Sequence, residues 1–112
     1  MPNEILSLGL PQEAVNLVAN HLCARIYVAH NLAELDTLLE SHDVSCIVVN
    51  VERCPNPVVD VTELLGHTPL TTRIVLVCGD VPGLDLRKLR SMGIKTLTIP
   101  YEIDELLEKL RR

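Results

Sequence analysis

Four polar side chains stand where a chemical site is most easily built, at or just beyond the ends of two long apolar runs. Asn50 and Glu52 close the first run, and Cys78 and Asp80 close the second. Carboxylates are ligands that Mg²⁺ and Ca²⁺ prefer, and a thiol is a potential nucleophile. Two carboxylates without a third partner make a poor cation site, and no histidine is placed by sequence to activate the thiol. We interpret Glu52 and Asp80 as solvated loop acids and Cys78 as an inert thiol, with a shared cation and a reactive thiol as the alternatives.

Asn50 differs from the other three because an amide side chain is neither a charged ligand nor a nucleophile. It can donate and accept hydrogen bonds to nearby backbone groups, as asparagine does in turns. We therefore expect Asn50 to bond to loop backbone and to hold its end of the strand in one arrangement. Ligand binding through the amide is the alternative.

The cysteines and histidines show no spacing that is typical of a metal or redox site. They are Cys23, Cys46, Cys54 and Cys78, and His21, His30, His42 and His67. No cysteine pair has the separation of a zinc knuckle or a redox dithiol, so we predict reduced, structural thiols and surface histidines. The sequence thus predicts no metal site, no catalytic residue and no cofactor.

The elements that must position these side chains are five short apolar strands. The first two and the last are Glu4–Leu8, Arg25–Ala29 and Lys95–Ile99, and the two longest runs are Ser45–Val51 and Arg73–Cys78. Continuous apolar runs rich in β-branched residues are typical of strands that are buried on both faces of a parallel sheet. The run that holds Asn50 is expected in the middle of that sheet, with Asn50 at its carboxyl edge, where α/β proteins place their binding crevice.

Helical patterns follow each strand. They cover Gln12–Leu22, a segment after the N-cap Asn31, Val58–Gly66, Asp85–Met92 and a last amphipathic stretch from about Glu102. Five alternating strand–helix units with short connections predict an α/β fold with helices on both faces of the sheet. We predict a flavodoxin-like (βα)5 three-layer sandwich with strand order 2-1-3-4-5, formed by a single domain over residues 1–112.

Composition excludes several classes of function. The chain has 112 residues, a net charge of -5 and no Phe or Trp, and this acidic balance argues against nucleic-acid binding. No apolar run approaches the roughly 18 residues that a membrane helix needs. The first residues have no basic segment of the kind that opens a signal peptide. We expect a cytoplasmic location with no membrane partner.

At this point the chain resembles the receiver domains of two-component response regulators over nearly its whole length. The resemblance is carried by the order of the units, by Val49-Asn50 and by the segment Gly93–Tyr101 before a final amphipathic helix. It implies the same fold, and it implies a role in signalling.

The resemblance also assigns positions to the phosphorylation machinery of receivers. Their phospho-acceptor aspartate corresponds to Asn50, their two Mg²⁺-binding acids to Leu8 and Gly9, their Thr or Ser to Cys78, their lysine to Ile99, and their aromatic switch residue to Thr96. Only the proline after the lysine is kept, as Pro100. An acyl phosphate needs a carboxylate, Mg²⁺ needs charged oxygen ligands, and phosphoryl transfer needs a fixed cation. The sequence therefore predicts an atypical receiver that is not phosphorylated and is not an enzyme.

A charged face offers a way for such a domain to act. In receivers the fourth helix, fifth strand and fifth helix form the usual partner surface, and here they carry the cations Arg87, Lys88 and Arg90 and the acids Glu102, Asp104, Glu105 and Glu108. The two sets could pair across a two-fold axis or with a protein partner. An ordinary solvated charged face is the alternative.

A second class of function is also open, because the same scaffold carries small ligands and enzymes in other proteins. Against it, the loop Ser7–Pro11 has a single glycine and so no phosphate-binding motif. The chain also lacks an aromatic residue placed to stack on a flavin. We therefore prefer a phosphorylation-independent regulatory domain that works through protein–protein contacts.

Overall fold

The computed structural model describes residues 3–111, which fold into one five-stranded parallel sheet and the helices that pack against it. The strands are β1 (Glu4–Leu8), β2 (Arg25–Ala29), β3 (Cys46–Asn50), β4 (Arg73–Cys78) and β5 (Lys95–Thr98), in the order β2-β1-β3-β4-β5. The helices are α1 (Gln12–Leu22), α2 (Leu32–Ser41), α3 (Pro57–His67), α4 (Leu86–Ser91) and α5 (Ile103–Leu110). All four strand pairs are parallel. The predicted fold class and strand order are confirmed.

Two apolar clusters, one on each face of the sheet, make the core. α1 and α5 cover one face with Ala14, Val18, Leu106, Leu107 and Leu110, and the other three helices cover the second face with Leu35, Val61, Leu64 and Leu89. The middle strands are apolar on both faces because neither face meets water. None of the described helices is long and apolar enough to cross a membrane.

Local signals account for several helix ends. The side chain of Asn31 accepts a hydrogen bond from the Glu34 N–H at 2.8 Å and caps α2, as predicted. Asp85 caps α4 in the same way through the Lys88 N–H at 3.0 Å. Gly93 follows α4 with a φ of 88°, a left-handed conformation that glycine adopts without strain.

Several predicted boundaries differ from the structure, among them those of α4, which spans Leu86–Ser91 in place of the predicted Asp85–Met92. α3 begins at Pro57 and continues through Gly66 to His67, because proline fits the first helical position and a single interior glycine only weakens a helix. β5 ends at Thr98 and not at Ile99, since Pro100 has no N–H to extend the ladder. Val51 leaves β3 and starts a short 3₁₀ turn, Val51–Arg53.

The inward face of α1 is also shifted from the prediction. The helical spacing of Ala14, Leu17, Val18 and Leu22 predicts an inward face made of these residues, but Leu17 is 39% exposed, and Val15 is buried in its place. The helix lies against the sheet through Ala14, Val15 and Val18, which puts Leu17 at the border of the packed surface.

Candidate functional site

Asn50 joins two loops at the carboxyl edge of the sheet. Its Nδ2 donates to the Gly9 carbonyl at 3.4 Å, and its Oδ1 accepts from the Glu52 N–H at 3.1 Å. The second bond caps the start of the 3₁₀ turn Val51–Arg53, and the first ties Asn50 to the loop after β1. Both bonding capacities of the amide are thus used on backbone groups, and an aspartate in its place would lose the donor.

Gly9 lies so close to this turn that no other residue fits without a shift. Its φ is 85°, and a Cβ atom there would lie 2.6 Å from Arg53 Cγ and 2.8 Å from Asn50 Cβ. The space beside the end of β1, the position to which the resemblance assigns an acidic side chain of receivers, is therefore occupied by the stem of Arg53. Leu8, the other acid-pair position, is buried in the core.

Arg53 is the residue of this site that sequence reasoning missed. It lies three residues after Asn50, and in a 3₁₀ turn residues i and i+3 point in the same direction. That signal becomes visible only once the turn is known, because the run Ser45–Val51 by itself predicts a longer strand.

Cys78 forms the floor of the edge at the end of β4. It is fully buried, and its carbonyl accepts the Ile99 N–H at 3.0 Å. Burial raises the pKa of the Cys78 thiol, although the nearby Arg90 guanidinium acts in the opposite direction. A thiol whose protonated form is favoured in this way is a weak nucleophile at neutral pH.

Ile99 and Pro100 follow β5 at the same edge, and Ile99 is the position to which the resemblance assigns the lysine of receivers. Ile99 is half-buried and packs with Leu10, Tyr101 and Ile103 against the α1 and α5 side of the core. A shallow apolar groove of about 370 Å³ opens beside it, lined also by Pro11 and Leu17. The position supplies packing in place of a positive charge.

The remaining acids at this edge do not form a metal site. Glu52 and Asp80 are exposed, and a Cβ atom on Gly79 would lie 3.2 Å from Glu52 Oε1. Among residues 3–111 no three His, Cys, Asp or Glu side chains come close enough together to hold a metal ion. Leu8, Gly9 and Asn50 present no charged oxygen, so the Mg²⁺ that receivers use does not fit these residues.

The residues predicted to form an interaction face lie on α4 and in the first turn of α5 and are exposed, and two of them also make internal contacts. Arg90 Nε donates to the buried Thr96 hydroxyl at 2.7 Å and ties α4 to β5. Glu105 Oε1 accepts from the Glu102 N–H at 3.0 Å, which forms a capping box at the start of α5.

Arg87 and Lys88 remain exposed on this face. Among the described residues, the side-chain contact with ion-pair geometry joins His30 Nδ1 and Glu34 Oε1 at 2.9 Å. The cations of α4 are therefore not paired with the acids of α5 within one copy.

Comparisons with known proteins agree with this architecture. No family model matches the chain, and no curated protein matches it either. Solved structures do match: a response regulator from Thermotoga maritima superimposes with a TM-score of 0.70 at 15% identity, covering 98% of this chain and 95% of that one. The chain has the fold of a response-regulator receiver domain.

Two further receivers share this fold. The signal receiver domain of an HD domain-containing protein from Pseudomonas fluorescens Pf-5 has a TM-score of 0.69 at 20% identity, covering 99% of this chain and 93% of that one. The receiver domain of a Saccharomyces cerevisiae response regulator, solved with a histidine phosphotransfer signalling protein, has a TM-score of 0.68 at 15% identity, covering 97% and 86%. At these identities the likeness establishes the receiver fold alone.

Proposed function

We propose that residues 1–112 form a single receiver-like regulatory domain that works without phosphorylation, in the cytoplasm, through contacts with other proteins. It has no enzymatic activity, and it contacts neither nucleic acid nor membrane. The observation that carries the proposal is the close packing at Gly9, where the Cβ of an acidic residue would lie 2.6 Å from Arg53 Cγ and 2.8 Å from Asn50 Cβ.

Electrostatics support the same proposal. Transfer of a phosphoryl group depends on neutralising its charge with a metal and a fixed cation. Here the metal-binding positions are Leu8 and Gly9, and the lysine position is Ile99. A phosphoryl group at Asn50 would have no counter-charge from any of these positions.

Intact-protein mass spectrometry after incubation with Mg²⁺ and acetyl phosphate tests the proposal. We expect no phosphoryl adduct on the wild type, and none on Asn50→Asp, because a carboxylate alone restores neither metal ligands nor cation. A phosphorylatable receiver treated in parallel is the positive control. A stoichiometric adduct on the wild type refutes phosphorylation independence, and an adduct confined to Asn50→Asp would mean that the amide alone blocks the reaction.

The α4–β5–α5 surface is the contact face that we propose. Arg87 and Lys88 are exposed and unpaired with α5 within the described residues, and α5 carries Glu108 exposed on its outer side. In a two-fold dimer the basic helix of one copy would face the acidic helix of the other. The yeast receiver with this fold does bind a protein, a histidine phosphotransfer protein.

Light scattering of charge-reversed variants tests this face. We expect Arg87→Glu/Lys88→Glu and Glu108→Lys each to weaken association of identical copies, and an equimolar mixture of the two variants to restore it. A protein that is monomeric at all concentrations excludes the dimer and leaves a different protein as the partner. Asp36→Lys, on α2, is the matched control that should leave association unchanged.

A further inference from the structure

A second groove lies between α2 and α3, on the face of the sheet that α1 and α5 do not cover. Two cavities of about 260 and 30 Å³ form it, and they are continuous because Asp36 of α2 and His67 of α3 line both. The floor is apolar and is made of buried or half-buried leucines, namely Leu32, Leu35, Leu39 and Leu64. The groove shares no residue with the site around Asn50 or with the charged surface of α4 and α5.

Carboxylates line both walls of this groove. Asp36 and Glu40 are four residues apart on α2, and Asp60 and Glu63 are three residues apart on α3. Side chains at these spacings are neighbours on a helix surface, about 5–6 Å apart. Asp60 Oδ2 accepts the Asn56 N–H at 2.9 Å. The other three acids are exposed, and within residues 3–111 none of them joins an ion pair.

The described residues that line the groove include no Lys or Arg. The surrounding chain shows the same imbalance, since residues 26–72 contain seven of the fifteen Asp and Glu residues and one of the ten Lys and Arg residues. That one cation is Arg53, whose stem packs over Gly9 after β1 and does not line the groove. The negative charge of the walls is therefore left to a group from outside the chain.

The arrangement of the acids argues against a metal ion as that group. Within residues 3–111 no three His, Cys, Asp or Glu side chains come close enough together to hold one. A polypeptide fits better, because Lys and Arg lay their apolar stems along apolar surface while their charged ends reach outward. The leucine floor supplies such a surface between the two acidic walls.

We propose that the groove between α2 and α3 binds a basic segment of another protein, with Lys or Arg residues next to an apolar anchor. The anchor would pack on the leucine floor, and the cations would reach the carboxylates of both walls. In an extended segment the side chains of one face are roughly 7 Å apart, which is close to the spacing of the acids along each wall. The same carboxylates repel nucleic acids and anionic membranes.

This inference rests on the proposed function only in assuming that the chain acts through protein contacts. A wild type that accepts a phosphoryl group and still binds basic segments in the groove would refute the proposed function alone. A wild type that stays unphosphorylated and binds no such segment would refute the groove alone.

A library of short random peptides, displayed on phage and selected on the wild-type chain, tests the proposal. Peptides that also bind Asp36→Asn/Glu63→Gln are removed by counter-selection, because they attach elsewhere on the acidic surface. We expect the remaining peptides to be basic and to carry a large apolar residue beside Lys or Arg. Peptides without that pattern, or no enrichment over the empty support, would overturn the proposal.

Selected peptides are then measured one at a time by fluorescence anisotropy. We expect Asp36→Asn/Glu63→Gln to weaken binding about fivefold or more, and added salt to weaken binding to the wild type. Glu13→Gln/Asp80→Asn is the matched control: it removes the same charge from exposed positions that do not line the groove, and should change the affinity less than about twofold. An equal loss in the two variants would show a general attraction to an acidic chain and overturn the proposal.

The apolar anchor is tested on the peptide, which leaves the fold of the chain untouched. Replacing the apolar residue of a selected peptide with serine should weaken its binding to the wild type about tenfold. An unchanged affinity would mean that charge alone holds the peptide, and would overturn the proposed anchor.

Two other occupants are separated by variants of the same acids. Saturable binding of spermidine that is lost in Asp36→Asn/Glu63→Gln, and is tighter than that of every selected peptide, would assign the groove to a polyamine and overturn the proposal. Self-association that is lost in Asp36→Lys, measured by light scattering, would assign it to a second copy and overturn the proposal equally.

Discussion

At the scale of single residues, the packing at the carboxyl edge of the sheet depends on Gly9 and Asn50. Gly9 has no Cβ, and Asn50 has an amide in place of a carboxylate. Together they let the 3₁₀ turn close onto the loop after β1, with Arg53 packed over the glycine. The loops that follow β1 and β3 are thus packed directly against each other at this edge.

Replacing Gly9 with alanine tests this close packing. We expect Gly9→Ala to lower the free energy of unfolding by about 1–3 kcal/mol, because a Cβ is strained at a φ of 85° and meets Arg53 Cγ. Gly66→Ala is the matched control: it lies in α3 with no atom within 4 Å of the added Cβ, and should raise stability by about 0.5–1 kcal/mol. Urea unfolding of both variants measures the difference, and similar effects in the two would contradict the packing.

Ser7 gives a second prediction at this scale. It is fully buried in β1, and among the described residues its hydroxyl has no hydrogen-bond partner. Since an unpaired buried hydroxyl destabilises the fold, we expect Ser7→Ala to raise the free energy of unfolding by up to about 1 kcal/mol. Ser45→Ala should instead lower it by about 0.5–1 kcal/mol, because that hydroxyl donates to the Glu4 carbonyl at 3.1 Å. Chemical denaturation compares them, and a loss in Ser7→Ala as large as in Ser45→Ala would mean that the Ser7 hydroxyl is satisfied.

At the scale of elements, the last helix depends on the strand that it crosses. Arg73, at the start of β4, donates from its guanidinium to the Leu110 and Arg111 carbonyls at 3.0 and 3.1 Å. Lys95 adds a donor to the Lys109 carbonyl at 3.4 Å. The carbonyls at the end of a helix lack partners within the helix, and cations near them also interact favourably with the negative end of the helix dipole. The carboxyl end of α5 is thus anchored from outside the helix.

We expect Arg73→Met to lower the free energy of unfolding by about 0.5–1.5 kcal/mol and to speed amide hydrogen exchange in the last turn of α5. The physical reason is the loss of two charge-assisted hydrogen bonds while the apolar stem remains. Arg87→Met is the control, because this substitution removes the same charge from an exposed position. Equal exchange rates in the α5 amides of the two variants would show that Arg73 does not cap the helix.

At the scale of the whole molecule, the core on the two faces of the sheet buries three of the four thiols. Cys46, Cys54 and Cys78 are buried, and Cys23 is exposed. Burial raises the pKa of Cys46 from its ordinary value of 9.0 to about 11, and it raises the pKa of Cys54 and Cys78 as well. A folded state that holds the protons of these thiols more tightly than the unfolded state is stabilised below the unfolded pKa, and loses that advantage as the pH rises.

We therefore expect stability to fall between about pH 9 and pH 11, the interval between the unfolded and folded pKa values of Cys46. Denaturant unfolding in the presence of a reductant, repeated across that interval, measures the slope. Cys46→Ala should make this slope shallower, because one of the three buried thiols whose pKa is raised is then gone. An identical slope in Cys46→Ala and the wild type would show that this thiol does not contribute.

The sequence alone determined the fold class. The spacing of apolar residues predicts alternating strands and helices, and such an order predicts a layered α/β fold. Runs such as Cys46–Asn50 read as buried strands because apolar residues without alternation suit a sheet covered on both faces. It also identified Asn50 as an amide at the sheet's carboxyl edge, because an element's end is a local property. The sequence also shows that Leu8 and Gly9 are not acidic, and the resemblance assigns the two Mg²⁺-binding acids of receivers to these positions.

Only the tertiary structure decided what lies next to what across the chain. The packing of Arg53 over Gly9, the bond of Arg90 to Thr96 and the capping of α5 by Arg73 each join residues whose proximity depends on turn geometry or strand order. Local patterns carry no information on such contacts, because their distances are set by the packing of all the elements together.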